Sequence, residues 1–260
     1  MSKILLISDF VSRGKIAGNM MEPVLSYSGH DVFFLPSALI SNNFSMGKVA
    51  IFDTSDYIKN SLKVWQELDF NFDVIFLGYI NDMRQKNIIL SYIETLEKKP
   101  LIVFDPIMGD NGKLYKGVDE EKINIYKEFL DIADITMPNI TEAKFLGLDD
   151  FDKLSKDGKK HIITSLEDEN GFYNLVIDKN PYKIYYKKID HNFAGTGDLL
   201  DALFIKYYLK IKDFTKANQL ATDKIYKILT RQQNDHPDDM EIFVEEYLKL
   251  LDEEIDFAGR

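Results

Sequence analysis

Short apolar runs recur along the chain, each followed by a polar turn and then by apolar positions spaced three and four apart. Residues 3–7, 32–35, 74–77, 101–104, 135–137 and 161–164 have the length and the β-branched or aromatic content of buried strands. Between them, 19–27 (closed by Gly29), 57–68, 85–96, 122–130 and 141–146 carry helical spacing. Apolar strands alternating with helices predict an α/β fold with a parallel sheet covered on both faces. The pattern changes at 172–177 and 182–188, two strand-like runs around Asp178-Lys179-Asn180-Pro181 that predict an antiparallel hairpin. From Leu199 to its end the chain reads as wholly helical, with Pro237 opening a helix over 240–251. No internal repeat or linker-like stretch interrupts the pattern, so one domain over 1–260 is the simplest organisation.

Composition narrows the function classes. A net charge of −11 repels nucleic acid and anionic membrane alike. The apolar start of the chain is too short for a signal sequence or a membrane span. The chain has no cysteine, which removes disulfides, thiolate nucleophiles and thiolate metal ligands and fits a reducing cytoplasm. The acidic residues at 252–254 read as a solvated helix end.

In open α/β sheets, ligands bind beyond the carboxyl ends of the strands, and five such places carry unusual chemistry. The strongest is Ala194-Gly195-Thr196-Gly197-Asp198 ahead of a helix. Two glycines and a helix start make an anion site, while Asp198 would repel an anion and suits a general base that takes a hydroxyl proton. An ordinary helix cap explains the same residue types. Second, Asp105-Pro106-Ile107-Met108-Gly109-Asp110 offers two carboxylates that could hold hydrated Mg²⁺, or simply a tight polar turn. Third, Asn139 and Glu142 have the spacing of a capping box, or could face a metal–nucleotide site. Fourth, Thr164 and Ser165 end a strand with hydroxyls able to donate to phosphate. Fifth, Ser8, Asp9, Ser41, Asn43 and Tyr79 supply small polar groups and an aromatic suited to a flat polar ring.

Taken in order, these motifs resemble the pyridoxal/pyridoxamine kinases of the ribokinase-like superfamily along nearly the whole chain. The resemblance rests on Asp105 to Asp110 with the downstream Tyr115, on Asp134 to Ala143, on Ile163-Thr164-Ser165 and on Ala194 to Asp198. Gly14 to Asn19 and Leu35 to Asn42 run parallel to the family as well. It implies a three-layer α/β/α sandwich with a mostly parallel central sheet, no separate lid domain, a flap over 113–118 and a homodimer. It also implies transfer of the ATP γ-phosphoryl group to the hydroxymethyl group of a vitamin B6 vitamer. Asp198 would be the base, and the N–H groups from Ala194 through Gly195, Thr196 and Gly197 to Asp198 the anion hole. Asp105, Asp110, Asn139 and Glu142 would arrange Mg²⁺, with K⁺ as a further candidate cation. Thr164 and Ser165 would meet the nucleotide phosphates, while Ser8, Asp9, Ser41, Asn43, Phe44 and Tyr79 would line the acceptor site. The chain departs from many relatives at Asn42-Asn43-Phe44, where Phe44 replaces a threonine that contacts the ring. Two other readings follow: a kinase for hydroxymethylpyrimidine or another small alcohol, and a noncatalytic binder whose acceptor pocket Phe44 fills.

Overall fold

Successive strand residues face opposite sides of a sheet, and here both sides are apolar. The computed structural model describes residues 1–253; Glu254, the last of the predicted acidic tail, and 255–260 lie outside them. In chain order the elements are β1 (Lys3–Val11), α1 (Gly18–Tyr27), β2 (Asp31–Ile40), β3 (Ile51–Asp53), α2 (Ser55–Glu67), β4 (Val74–Leu77), α3 (Met83–Thr95) and β5 (Leu101–Phe104). There follow a small hairpin of β6 (Gly109–Asp110) and β7 (Lys113–Leu114), then α4 (Glu120–Ile132), β8 (Ile135–Thr136), α5 (Ile140–Leu146) and α6 (Phe151–Leu154). The chain continues through β9 (Lys160–Asp168), β10 (Gly171–Ile177), β11 (Pro181–Tyr186), α7 (Thr196–Ile211), α8 (Phe214–Asp235) and α9 (Val244–Tyr247).

Nine strands form one sheet in the order β11-β10-β9-β8-β5-β4-β1-β2-β3. The six from β9 to β2 are mutually parallel, and antiparallel strands flank them at both edges. Ile4, Leu6, Val74, Phe76, Val103 and Ile135 pack on one face with α1, α7 and α8. Leu5, Ile7, Ile75, Leu77, Ile102 and Phe104 pack on the other with α2, α3, α4 and α5. The result is a helix–sheet–helix sandwich. Within it, α7 is buried from Leu199 through Ile205 without a break, so it is an inner helix rather than an amphipathic cover.

Three expectations need correction. β1 runs on to Val11 and β2 to Ile40, past the polar residues where the apolar runs stop, with an irregularity in register between Ser8 and Phe10. Ser8 and Asp9 therefore lie within a strand. The chain after Leu199 is not wholly helical: Glu241 pairs with Ala194 as an isolated bridge, and only the short α9 and a 3₁₀ turn at Leu248–Leu251 follow. Pro237 accordingly opens no helix, because 236–243 serve to bring the chain back to the glycine loop. Asp252 and Glu253 follow that 3₁₀ turn and are exposed, as a solvated helix end should be; Asp252 accepts a bond from the Tyr27 hydroxyl at 2.6 Å and Glu253 pairs with Lys227.

Candidate active site

The parallel strands aim their carboxyl ends at one edge of the sheet, and the polar residues that follow them converge there. Asp105 follows β5, Tyr79 follows β4, Asn139 follows β8, and α7 begins at the same edge.

The glycine loop is shaped by its neighbours. Gly195 caps α7 with φ 84°, a left-handed conformation that costs glycine nothing. A Cβ there would press into the carbonyl oxygen of Lys15 and stand 3.0 Å from Met20 Cε, so the loop lies directly on the chain leading into α1. The first intrahelical bond runs from Leu199 N–H to Gly195 O at 3.0 Å, leaving the N–H groups of Thr196 and Gly197 at the exposed helix end. The N–H of Ala194, assigned to the anion hole by resemblance, is already committed: it donates to Met240 O at 2.8 Å. That leaves Gly195 to Gly197 as the part of the loop able to meet an anion, while Ala194 anchors it to the returning segment at Met240.

Asp198 sits half-buried in the first turn of α7. Burial raises its pKa, while the N–H of Ala17 and its own N–H oppose the rise. Ala17 supplies that donor from a strained backbone (φ 52°, ψ −134°) at the start of α1. Strain of this kind concentrates where a site fixes geometry.

Near Asp198 lies Asp9, a buried carboxyl whose pKa rises to about 7, first through burial and then through the charge of Asp198. The fully buried Ser8 hydroxyl donates to it at 3.4 Å. Tyr79 is half-buried beside them, its own pKa raised by burial and by Asp9. Asp105 is near Asp198 as well, buried and pushed well up by burial and by the carboxylates of Asp201 and Asp198. Asp201 lies one turn beyond Asp198 on α7, hydrogen-bonded to Asp105, 2% exposed, with Oδ2 lacking any partner.

The remaining expected groups divide in two. Glu142 spends both oxygens on backbone: Oε1 accepts from Met108 N–H at 3.0 Å and Gly109 N–H at 3.3 Å, and Oε2 from Asn139 N–H at 2.9 Å. With Asn139 Oδ1 accepting from the N–H groups of Thr141 and Glu142, the capping box is complete. Asn139 Nδ2 also donates to Gly109 O at 2.8 Å, so this cap holds the β5–β6 loop. Asp110 is exposed and accepts from Asn111 with both oxygens. Thr164 is half-buried and bonded by its N–H to Pro138 O, whereas Ser165 is exposed at φ 61° within β9. Ser41 braces the β2–β3 turn through Asn42 and Ala50. Asn43 Cβ lies 3.6 Å from where a Cβ on residue 14 would stand, and its N–H donates to Arg13 O. Phe44 stands 49% exposed on a 3₁₀ turn.

Among the described residues no three His, Asp or Glu side chains are grouped to hold a metal ion. Mg²⁺ commonly takes one or two carboxylates together with phosphates and water, and the Asp105–Asp201 pair, with its unpartnered oxygen, fits that demand. Both oxygens of Glu142 already accept from backbone N–H groups, and those of Asp110 from the N–H and the side-chain amide of Asn111, so neither is as open to an ion as the unpartnered Asp201 oxygen. Asp201 was missed in the sequence because it interrupts an apolar run; an acid inside a buried helix, three residues after Asp198, was the available signal.

The sequence model of the phosphomethylpyrimidine kinases matches residues 35–238, most of the chain. The chain belongs to the phosphomethylpyrimidine kinase family. It is thus a kinase with a ribokinase-like fold, and its curated relatives point within that group. It is 26% identical over 267 residues to a pyridoxal kinase of Dictyostelium discoideum, covering 89% of this chain and 87% of that protein. Its fold is that of the pyridoxal kinase of Lactobacillus plantarum, with a TM-score of 0.87 at 23% identity over 96% of both chains. It is also that of the Leishmania donovani pyridoxal kinase bound to ADP and pyridoxamine, with a TM-score of 0.84 at 20% identity over 97% of this chain and 96% of that one. No helix among the described residues is long and apolar enough to cross a membrane.

Proposed function

We propose that this kinase transfers the γ-phosphoryl group of ATP to the hydroxymethyl group of a B6 vitamer: pyridoxal, pyridoxamine or pyridoxine. The observation that carries this reading is the nearness of Asp198 both to the start of α7 and to the buried carboxyl of Asp9. Behind it stand the N–H groups of Thr196 and Gly197 at a helix N-terminus, suited to phosphate. Near it stands Asp9, and near Asp9 stands Tyr79, groups suited to a polar aromatic ring. A relative crystallised with ADP and pyridoxamine, and curated relatives named pyridoxal kinase, support the choice of acceptor.

Asp198 accepts the hydroxyl proton as the acceptor oxygen bonds to the γ-phosphorus, and the bond from that phosphorus to the ADP oxygen breaks. The raised pKa of Asp198 improves it as a base. The nearby Ala17 N–H favours its charged form. Thr196 and Gly197 hold the phosphoryl oxygens, because this chemistry depends on positioning and charge neutralisation. Asp105 and Asp201 would meet Mg²⁺ carried by the nucleotide, which neutralises phosphate charge when bound. Glu142 and Asn139 act by fixing the β5–β6 loop.

Ser8 and Asp9 bind the ring edge, and Thr164 the nucleotide phosphates. Phe44 is 49% exposed rather than buried, which supports an acceptor site that its ring does not plug. We read 1–260 as one kinase unit, a homodimer in solution, in the cytoplasm where ATP is held. ADP release with the three vitamers and hydroxymethylpyrimidine tests the assignment. Turnover of a vitamer is expected, and turnover of the pyrimidine alone would overturn it in favour of the second kinase reading.

A further inference from the structure

Lys122 lies in the first turn of α4 yet is 7% exposed. A lysine on a helix surface ordinarily keeps its charge in water, and burying an ammonium is costly unless partners meet it. Here Nζ donates to the carbonyl of Ile80 and to that of Asn81, the latter at 2.6 Å. It also stands 4.4 Å from the ring centroid of Tyr79 and 5.8 Å from that of Tyr126. The turn it reaches is braced from below as well. The Ser37 hydroxyl donates to Tyr79 O, and the buried Gln85 accepts from Asn81 N–H at 3.0 Å and donates to Ser37 O at 2.7 Å. Ser37 and Gln85 can hold the backbone. Lys122 adds what they cannot: a desolvated positive charge against the ring of Tyr79.

We propose that Lys122 is a positioning residue of the acceptor pocket, its ammonium fixing the Tyr79 ring and the Ile80–Asn81 carbonyls so that the ring meets the acceptor at one set angle. This rests on the placement of Tyr79 in the acceptor site. The groups facing Lys122 are Asp9 on β1, Asp82 at the start of α3, Asp119 and Glu121 at the start of α4, and the rings of Tyr79 and Tyr126. The four carboxylates favour its charge, but burial prevails and brings its pKa down to about 8. Lys122 therefore holds the ring as a cation below about pH 8 and releases it as a neutral amine above.

Steady-state kinetics between pH 6 and 9.5 on wild type, Lys122→Met and Lys122→Gln test this, with the acceptor that the wild type phosphorylates. Lys122→Met is expected to raise the acceptor KM about tenfold, to leave the ATP KM within about twofold, and to lower kcat far less than KM rises. The wild-type acceptor KM should climb above about pH 8, and that climb should vanish in the variant. Lys122→Gln keeps a donor without the charge and should resemble Lys122→Met. Unchanged acceptor KM, parallel losses in both KM values, or full rescue by Gln would reduce Lys122 to a backbone staple. ADP binding by calorimetry reports whether each variant folds; if the Met variant does not, the Gln variant decides. A wild type that phosphorylates hydroxymethylpyrimidine and no vitamer defeats the B6 reading while leaving the Lys122 comparison intact.

Discussion

Replacing Gly195 by alanine perturbs the loop on which the reaction depends. The residue sits at φ 84°, and holding alanine in a left-handed conformation costs about 1–2 kcal/mol. The new methyl would meet the Lys15 carbonyl, a backbone atom that cannot swing aside as a side chain can, and Met20 Cε at 3.0 Å. Overpacking of this kind costs about 1–3 kcal/mol, so the loss of stability should be about 2–5 kcal/mol. Relief requires the loop and the Lys15–Ala17 chain to part, which also moves the Ala17 donor away from Asp198. A displacement near 1 Å in a catalytic constellation costs about 10²-fold in rate. Gly197→Ala is the control, since a Cβ there meets nothing within 4 Å and its φ is not left-handed. Within α7 that change should leave stability unchanged or raise it by up to about 1 kcal/mol. Urea denaturation of both variants, with kcat measured alongside, checks the pair. Equal stability and equal activity of the two would refute the steric reasoning.

Asp9→Asn should alter the pH dependence of stability. The native carboxyl holds its proton to about pH 7 and the unfolded one to about 3.8. The native state therefore binds the extra proton between these values, and stability falls as pH rises through them. The variant should gain up to about 4 kcal/mol at pH 8 and nothing at pH 4, and thermal melts at both pH values decide it. Glu142→Ala leaves the buried N–H groups of Met108 and Gly109 and the half-buried one of Asn139 without their acceptor. At about 1–3 kcal/mol per orphaned group, it should lower the urea midpoint far more than Glu142→Gln, which keeps a carbonyl to accept.

The central strands were plain in the sequence because β4 and β5 are buried on both faces and read as unbroken apolar runs. β1 and β2 were cut short because Ser8, Asp9 and Pro36 break the run while the pairing continues across the irregular register. β3 went unread for the opposite reason: its three residues are all exposed, so burial imposes no pattern on them. The last segment misled because Ile242, Val244, Tyr247 and Leu251 are buried at near-helical spacing, while the backbone at Glu241 instead pairs with Ala194. The donor side was legible as motif, and the structure changed roles within it. Glu142 became a cap and Asp201 a partner of Asp105. Lys122 was hidden by its type, since a lysine in a helix reads as solvated; its position on the face of Ile125, Tyr126 and Phe129 was the clue.

The role of Asp198 bears most directly on the proposed reaction, and phosphorylation of pyridoxal by Asp198→Asn measures it. Asparagine keeps the size of the side chain and cannot take the proton. ADP binding should stay close to wild type while kcat falls about 10²–10⁴-fold. A variant that phosphorylates pyridoxal at the wild-type rate would contradict the assignment of Asp198 as the base.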